Sequence, residues 1–156
     1  GAGYDYIVWN RFDGSGMTIN LNAVGAEAAI GRDGADSLNA SGNTVGATLY
    51  GYGGADTLTG SSVNDSLYGG TGNDTLTGGG GNDQFIFEAN WGSDTITDVV
   101  RGSDRIQFAT GAGPLTFVQL AISQSGADAL VQFGTRSIRL SNITASQLNA
   151  SDFIFA

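Results

Sequence analysis

The residues with chemistry to offer are aspartates at a fixed spacing. Asp56, Asp65, Asp74 and Asp83 recur every nine residues, and two positions after each stands an apolar side chain, Leu58, Leu67, Leu76 or Phe85. The blocks read GYGGADTLT (51–59), GSSVNDSLY (60–68), GGTGNDTLT (69–77) and GGGGNDQFI (78–86). Upstream, GNTVGATLY (42–50) keeps Leu49 but carries Ala47 in place of the acid, and GRDGADSLN (31–39) supplies Asp36 and Leu38 after a two-residue slip. Downstream, Asp94 and Asp104 keep a Gly-x-Asp-x-apolar core at stretched spacing. Carboxylates repeated this regularly repel one another and are costly to bury unpaired, so the chemistry they suggest is the binding of a cation.

The elements that would position them follow from the same nine residues. Six of each block are rich in Gly and Asn, which suit tight turns, and three are of the Thr-Leu-Thr kind, which suit a short strand. Side chains alternate along a strand, so the central apolar residue of each block points to a shared interior built from Leu49, Leu58, Leu67, Leu76 and Phe85. Three-residue strands are stable only when stacked. If two blocks form one flattened coil, block n lies on block n+2 and parallel ladders run along two faces at about 4.8 Å spacing. The expected fold is all-β, a right-handed parallel β-roll, a solenoid of the β-helix kind, made of nonapeptide repeats. That stacking sets Asp36 on Asp56 and Asp56 on Asp74 along one edge, and Asp65 on Asp83 along the other.

Composition narrows the partner. Six Arg and no Lys stand against thirteen Asp and two Glu, a net charge of −9, which disfavours nucleic acid and anionic membranes. The absence of His and Cys excludes zinc-thiolate sites, His-based triads and thiol nucleophiles. Paired carboxylates also serve glycoside hydrolysis, but glycines surround these and no cleft is implied. No apolar run reaches the roughly 20 residues of a membrane span. With so few Arg, the counter-charge must come from solution. Calcium fits best, because it takes six to eight oxygen ligands in flexible geometry and the glycine turns can supply carbonyls. The fold itself should therefore depend on the metal.

These blocks resemble the repeats-in-toxin (RTX), hemolysin-type calcium-binding nonapeptide GGxGxDxUx, which GGTGNDTLT (69–77) matches at every defined position. GNDQFIF followed by GSDTITDV and GSDRIQF resembles the way such arrays end. The resemblance implies a parallel β-roll with ions held between turns of blocks n and n+2, about three to five in all. One implied site joins Gly34, Asp36, Gly51, Gly53 and Asp56, and a second joins Tyr52, Gly54, Asp56, Gly69, Thr71 and Asp74. On the opposite edge Ser61, Val63 and Asp65 would face Gly78, Gly80 and Asp83, although Val63 stands where the family has Gly. Terminal sites would run from Gly70, Gly72 and Asp74 to Asp94, and from Gly79, Gly81 and Asp83 to Asp98 or Asp104. The Ala47 block should leave its edge without a full site.

The resemblance further implies a non-enzymatic module of a larger secreted bacterial protein, exported by type I secretion machinery and folding in extracellular calcium, with the uncleaved signal toward Phe153–Ala156. The alternative is a calcium-dependent adhesion or polysaccharide-binding module, like the RTX region of an adhesin or the R-modules of alginate epimerases, with a polysaccharide or cell-surface ligand. The expected organisation is an N-terminal β cap (1–30), the calcium-binding roll (31–108, core repeats 42–86) and a C-terminal β cap (109–156). YDYIVW (4–9) and MTINL (17–21) read as strands joined by RFDGSG. LTFVQLAI (115–122), ALVQF (129–133) and SIRLSNI (137–143) read as antiparallel strands with a hairpin at Ser125–Asp128, and Thr144 could cap a helical turn at 145–148. Asp5, Asp13, Asp33, Asp128 and Asp152 read as surface acids. Trp9, Trp91, Tyr4, Tyr6, Tyr50, Tyr52 and Tyr68 read as cap packing ahead of a carbohydrate platform, with Tyr50, Tyr52 and Tyr68 near block boundaries where side chains could point outward.

Overall fold

The computed structural model describes residues 5–8, 14–23, 26–113 and 116–156. Successive short strands alternate between two sheets. The first sheet stacks β1 (Tyr6–Val8), β3 (Ala28–Asp33), β5 (Thr48–Gly53), β7 (Ser66–Thr71), β9 (Gln84–Phe87), β11 (Arg105–Phe108) and β15 (Phe153–Phe155) in that order. The second stacks β2 (Thr18–Asn20), β4 (Ser37–Asn39), β6 (Thr57–Thr59), β8 (Thr75–Thr77), β10 (Ser93–Ile96) and β14 (Arg136–Leu140), then β13 (Asp128–Phe133) and β12 (Ala121–Ser125). Every pairing is parallel except those of β12 with β13 and β13 with β14. This is the expected β-roll with an antiparallel C-terminal cap.

Register follows from the one apolar residue per repeat. In the first sheet Ala29, Leu49, Leu67, Phe85, Ile106 and Phe153 lie on successive strands at the same level. In the second, Ile19, Leu38, Leu58, Leu76, Ile96 and Leu140 do the same. Leu49, Leu58, Leu67, Leu76 and Phe85 are fully buried, as the alternation requires. Each buried side chain contributes roughly 1.5–3 kcal/mol, and a one-residue slip would turn a whole rank toward water. Register therefore fixes where each aspartate stands.

The C-terminal end of the core is aromatic. Trp91 packs against Phe87 and Phe108, with ring centroids 5.3 and 5.6 Å away, and its indole N–H donates to the Ala112 carbonyl. Arg136 lies over the Trp91 ring and donates to the same carbonyl. Trp91 thus packs the cap.

Three local expectations need correction. Residues 117–119 form a 3-10 turn, and the strand expected over 115–122 begins only at Ala121. Thr116 and Gln119 close a capping box across that turn, a local hydrogen-bonded alternative to extension. β1 and β2 enter different sheets, pairing with β3 and β4 of the first coil. The linker residues 9–13 lie outside the described residues, as do Tyr4 and Asp13. The turn Ala145–Gln147 forms, but the Thr144 side chain makes no cap bond. Asp152 is buried, not a surface acid: it accepts from Asn149 N–H and pairs with Arg101 at 3.2 Å, tying the C-terminus to the last repeat turn.

Candidate metal centre

At each repeat the strand ends in a turn that brings the aspartate back against the roll. Along one edge Asp36 donates its amide to Asp56 Oδ1 (2.8 Å), Asp56 to Asp74 Oδ1 (2.9 Å) and Asp74 to Asp94 Oδ1 (2.9 Å). Along the other edge Asp65 donates to Asp83 Oδ1 (2.9 Å) and Asp83 to Asp104 Oδ1 (3.0 Å), while Ala47, the residue in place of an acid, donates its amide to Asp65. Each carboxylate thus uses one oxygen to brace the previous rung. All these aspartates are buried.

What happens to the second oxygen depends on the backbone four residues earlier. In three turns that amide points home: Arg32 N–H to Asp36 Oδ2, Ser61 N–H to Asp65 Oδ2 and Val100 N–H to Asp104 Oδ2. Tyr52 and Gly70 occupy the same place with φ of 74° and 97°, and their turns leave Asp56 Oδ2 and Asp74 Oδ2 buried without any hydrogen-bond partner. A buried carboxylate oxygen with no donor is costly and calls for a cation.

The electrostatics agree. Burial pushes Asp56 up to about 7, against the amide of Asp36, with the charges of Asp74 and Asp36 adding to the rise. Asp83 and Asp94 also reach about 7, chiefly through burial, and Asp65 and Asp74 are raised for the same reason. Among the described residues no three acidic side chains gather at one point. The acids are strung one per turn, so an ion here would take its remaining ligands from turn carbonyls, as calcium tolerates.

The first implied set is brought together: Gly34 N–H donates to the Gly53 carbonyl, Asp36 meets Asp56, and Gly51, lacking a Cβ, makes room for Asp56 Oδ2. So is the second: Gly54 N–H donates to the Thr71 carbonyl, Asp56 meets Asp74, and Gly69 makes room for Asp74 Oδ2. The turn geometry depends on glycine at the fourth position. Gly72 has a φ of 127°, and a Cβ there would run into the Gly54 carbonyl.

The opposite edge differs. Ser61, Val63 and Asp65 do face Gly78, Gly80 and Asp83, with Gly80 N–H donating to the Ser61 carbonyl. However, neither Ser61 nor Val63 adopts the left-handed backbone that Gly79 and Gly81 have. The Ser61 hydroxyl lies 2.9 and 3.1 Å from the two Asp65 oxygens, and Val63 N–H donates back to it. Asp65 is satisfied within its own turn. At the far end Asp94 continues the Asp74 edge and Asp104 the Asp83 edge, while Asp98 accepts from Gly78 and Gly79 N–H at 2.9 and 2.8 Å. Asp98 and Asp104 thus both belong to that edge, with separate roles.

Two further braces escape the aspartate pattern. Asn64 accepts from Asn82 N–H and Asn73 from Ser93 N–H, locking one turn to the next. Their nine-residue spacing, directly before Asp65 and Asp74, was the available signal.

The family model of the RTX calcium-binding nonapeptide repeat (4 copies) matches residues 50–85 and, overlapping, 59–96. No curated protein matches the chain significantly. Among solved structures the chain is similar to the extracellular lipase LipA from Serratia marcescens, at 23% identity over 84% of this chain and 21% of that one, with a TM-score of 0.63. It thus spans about a fifth of the lipase's length. It is also similar to the AlgE6R2 subunit of the Azotobacter vinelandii mannuronan C5-epimerase, at 24% identity over 99% of this chain and 94% of that one, with a TM-score of 0.50. At such identities the likeness is one of fold. The stacked turns between Tyr50 and Ile96, about a third of the chain, therefore carry RTX calcium-binding nonapeptide repeats.

Proposed function

We propose that this chain is a calcium-folded module of a larger secreted protein, unfolded where calcium is scarce and folding where it is plentiful. The observation that carries this reading is the pair of buried, partnerless oxygens, Asp56 Oδ2 and Asp74 Oδ2. Their turns would hold the ions, with Asp56, Asp74 and Asp94 on one edge, Asp83 on the other and turn carbonyls completing each shell, while Asp36 and Asp104, whose second oxygens already accept from the Arg32 and Val100 amides, would brace the ends of the array. When bound, calcium supplies the positive charge that a chain of net charge −9 lacks. Sites in the roughly 10⁻⁴ to 10⁻³ M range of extracellular modules would stay unloaded in a cytosol and fill outside. That behaviour suits export of an unfolded chain by a type I pathway, followed by folding that stabilises the attached protein. No catalytic role is needed to account for any of these residues.

The test is far-UV circular dichroism in chelator and through a calcium titration, with magnesium as control and calorimetric ion counting. A coil spectrum should turn to β with calcium alone, at about three to five ions per chain. A chain fully β in chelator and indifferent to calcium would refute the proposal.

A further inference from the structure

The outer face of the first sheet carries a feature that calcium does not explain. Tyr50 and Tyr68 stand side by side on β5 and β7, their rings stacked at 4.4 Å, and Tyr52 lies 6.1 Å from Tyr50. The next residue across from Tyr52 is Gly70, so the row of side chains is interrupted. The interruption is a notch of about 240 Å³ lined by the three tyrosines, Gly70, Thr71 and Glu88. A Cβ on Gly70 would meet the main chain of Tyr52, so the floor must stay bare.

Tyr52 is the unexpected residue. Its φ of 74° is left-handed, where the equivalent positions of two neighbouring repeats carry Gly70 and Gly79. Asn90 and Asn142 share the left-handed region but belong to a residue type that tolerates it, whereas an aromatic side chain does not. The residue is 56% exposed. A strained residue presenting an exposed ring at the rim of a notch points to a ligand.

We propose that the Tyr50–Tyr52–Tyr68 notch binds one ring of a neutral polysaccharide. A pyranose offers an apolar C–H face to stack on an aromatic ring and a hydroxyl rim for the Glu88 carboxylate and the Thr71 hydroxyl. The notch is smaller than the roughly 300–1,000 Å³ of drug-sized ligand sites, which suits a single sugar ring. Charge selects a neutral ligand. Glu88 in the notch wall repels uronates, and Arg32, paired with Tyr52 on the adjacent strand, removes the advantage an organic cation would otherwise have. The proposal rests on the calcium-folded state, since Tyr52 sits in a turn assigned to the ion.

The experiment is a 15N–1H NMR titration of the calcium-loaded chain with cellohexaose, laminarihexaose and mannohexaose, set against hexamannuronate and choline. Calcium-induced folding is read first, so its failure is seen separately. At least one neutral hexaose should shift the amides of Tyr52, Tyr68, Thr71 and Glu88. Tyr68→Ala should weaken that binding at least tenfold and Glu88→Gln severalfold, with the calcium midpoint unchanged, as neither residue belongs to the proposed calcium set. The proposal is overturned if no neutral hexaose shifts these amides in the folded chain, if hexamannuronate or choline binds more tightly, or if both variants bind as well as the parent.

Discussion

Protons should partly replace calcium in holding the roll together. Asp56, Asp83 and Asp94 titrate near 7 in the folded chain against an ordinary 3.8. Because the folded-state values are raised, the folded chain binds more protons than the unfolded chain between about pH 4 and pH 7, and stability falls as pH rises through that window. A shift of about three units corresponds to roughly 4 kcal/mol per group. Solvent screening, and the coupling of Asp56 and Asp94 through Asp74, reduce this to about 2 kcal/mol each. The combined penalty, roughly 6 kcal/mol at neutral pH, is comparable with the whole net stability of a domain this size, about 5–15 kcal/mol. In chelator the module should therefore be largely coil at about pH 7.5 and recover β signal by about pH 5.5. With saturating calcium this acid stabilisation should vanish, and the calcium midpoint of the folded chain should rise on acidification as protons compete for the same oxygens. Asp83→Asn, which keeps the acceptor for Asp65 N–H but not the charge, should raise chelator stability at neutral pH by about 2 kcal/mol and lower the ion count. Circular dichroism with urea melts at the two pH values reads each quantity. A chelated chain equally folded at both, or less folded in acid, would refute the reasoning.

Two other substitutions probe the turns. Gly72→Ala places a Cβ against the Gly54 carbonyl at a φ of 127°, so the ion count should fall by at least one and the calcium midpoint rise severalfold in calorimetry. Ser61→Gly combined with Val63→Gly removes the hydroxyl that satisfies Asp65 and restores left-handed freedom, so one additional ion should bind on the Asp65–Asp83 edge. An unchanged count would mean that the serine is not what withholds that site.

Periodicity made the architecture readable. One apolar residue every nine fixes which side chain points inward, and the two-blocks-per-coil rule then fixes which aspartates meet. Both follow from the alternation of a strand and need no knowledge of distant contacts. The flanks lack such a repeat, and there local chemistry prevailed over pattern. Thr116 and Gln119 capped a turn where alternation suggested a strand, and Asp152 was drawn inward by Arg101, fifty-one residues away in sequence. The tyrosines illustrate a third kind of gap. Aromatic residues in a chain with a cap suggest packing, and Trp91 does pack, whereas Tyr50 and Tyr68, placed near block boundaries by the repeat, need the register to show that they stand side by side on adjacent strands.

The least legible property was the difference between the two edges, since Asp56 and Asp65 occupy equivalent positions in repeats that differ chiefly in their turns. The distinction lies in one backbone dihedral. Where the residue four before the aspartate is left-handed, as at Tyr52 and Gly70, the second carboxylate oxygen has no donor; where it is not, as at Arg32, Ser61 and Val100, the amide reaches back and neutralises the demand. Glycine at that position therefore does more than permit a tight turn. It withholds a hydrogen bond, and so leaves a carboxylate that only a cation can satisfy. A serine at the same place supplies two donors to the same acid and closes the turn without metal. By this reasoning each turn's dependence on calcium is set by its second residue as much as by its aspartate, and the Asp56–Asp74 edge should load before the edge that Ser61 already closes. Calcium-dependent amide protection, followed residue by residue, should appear at Asp56 and Asp74 at lower calcium than at Asp65, and protection of Asp65 that came first would contradict it.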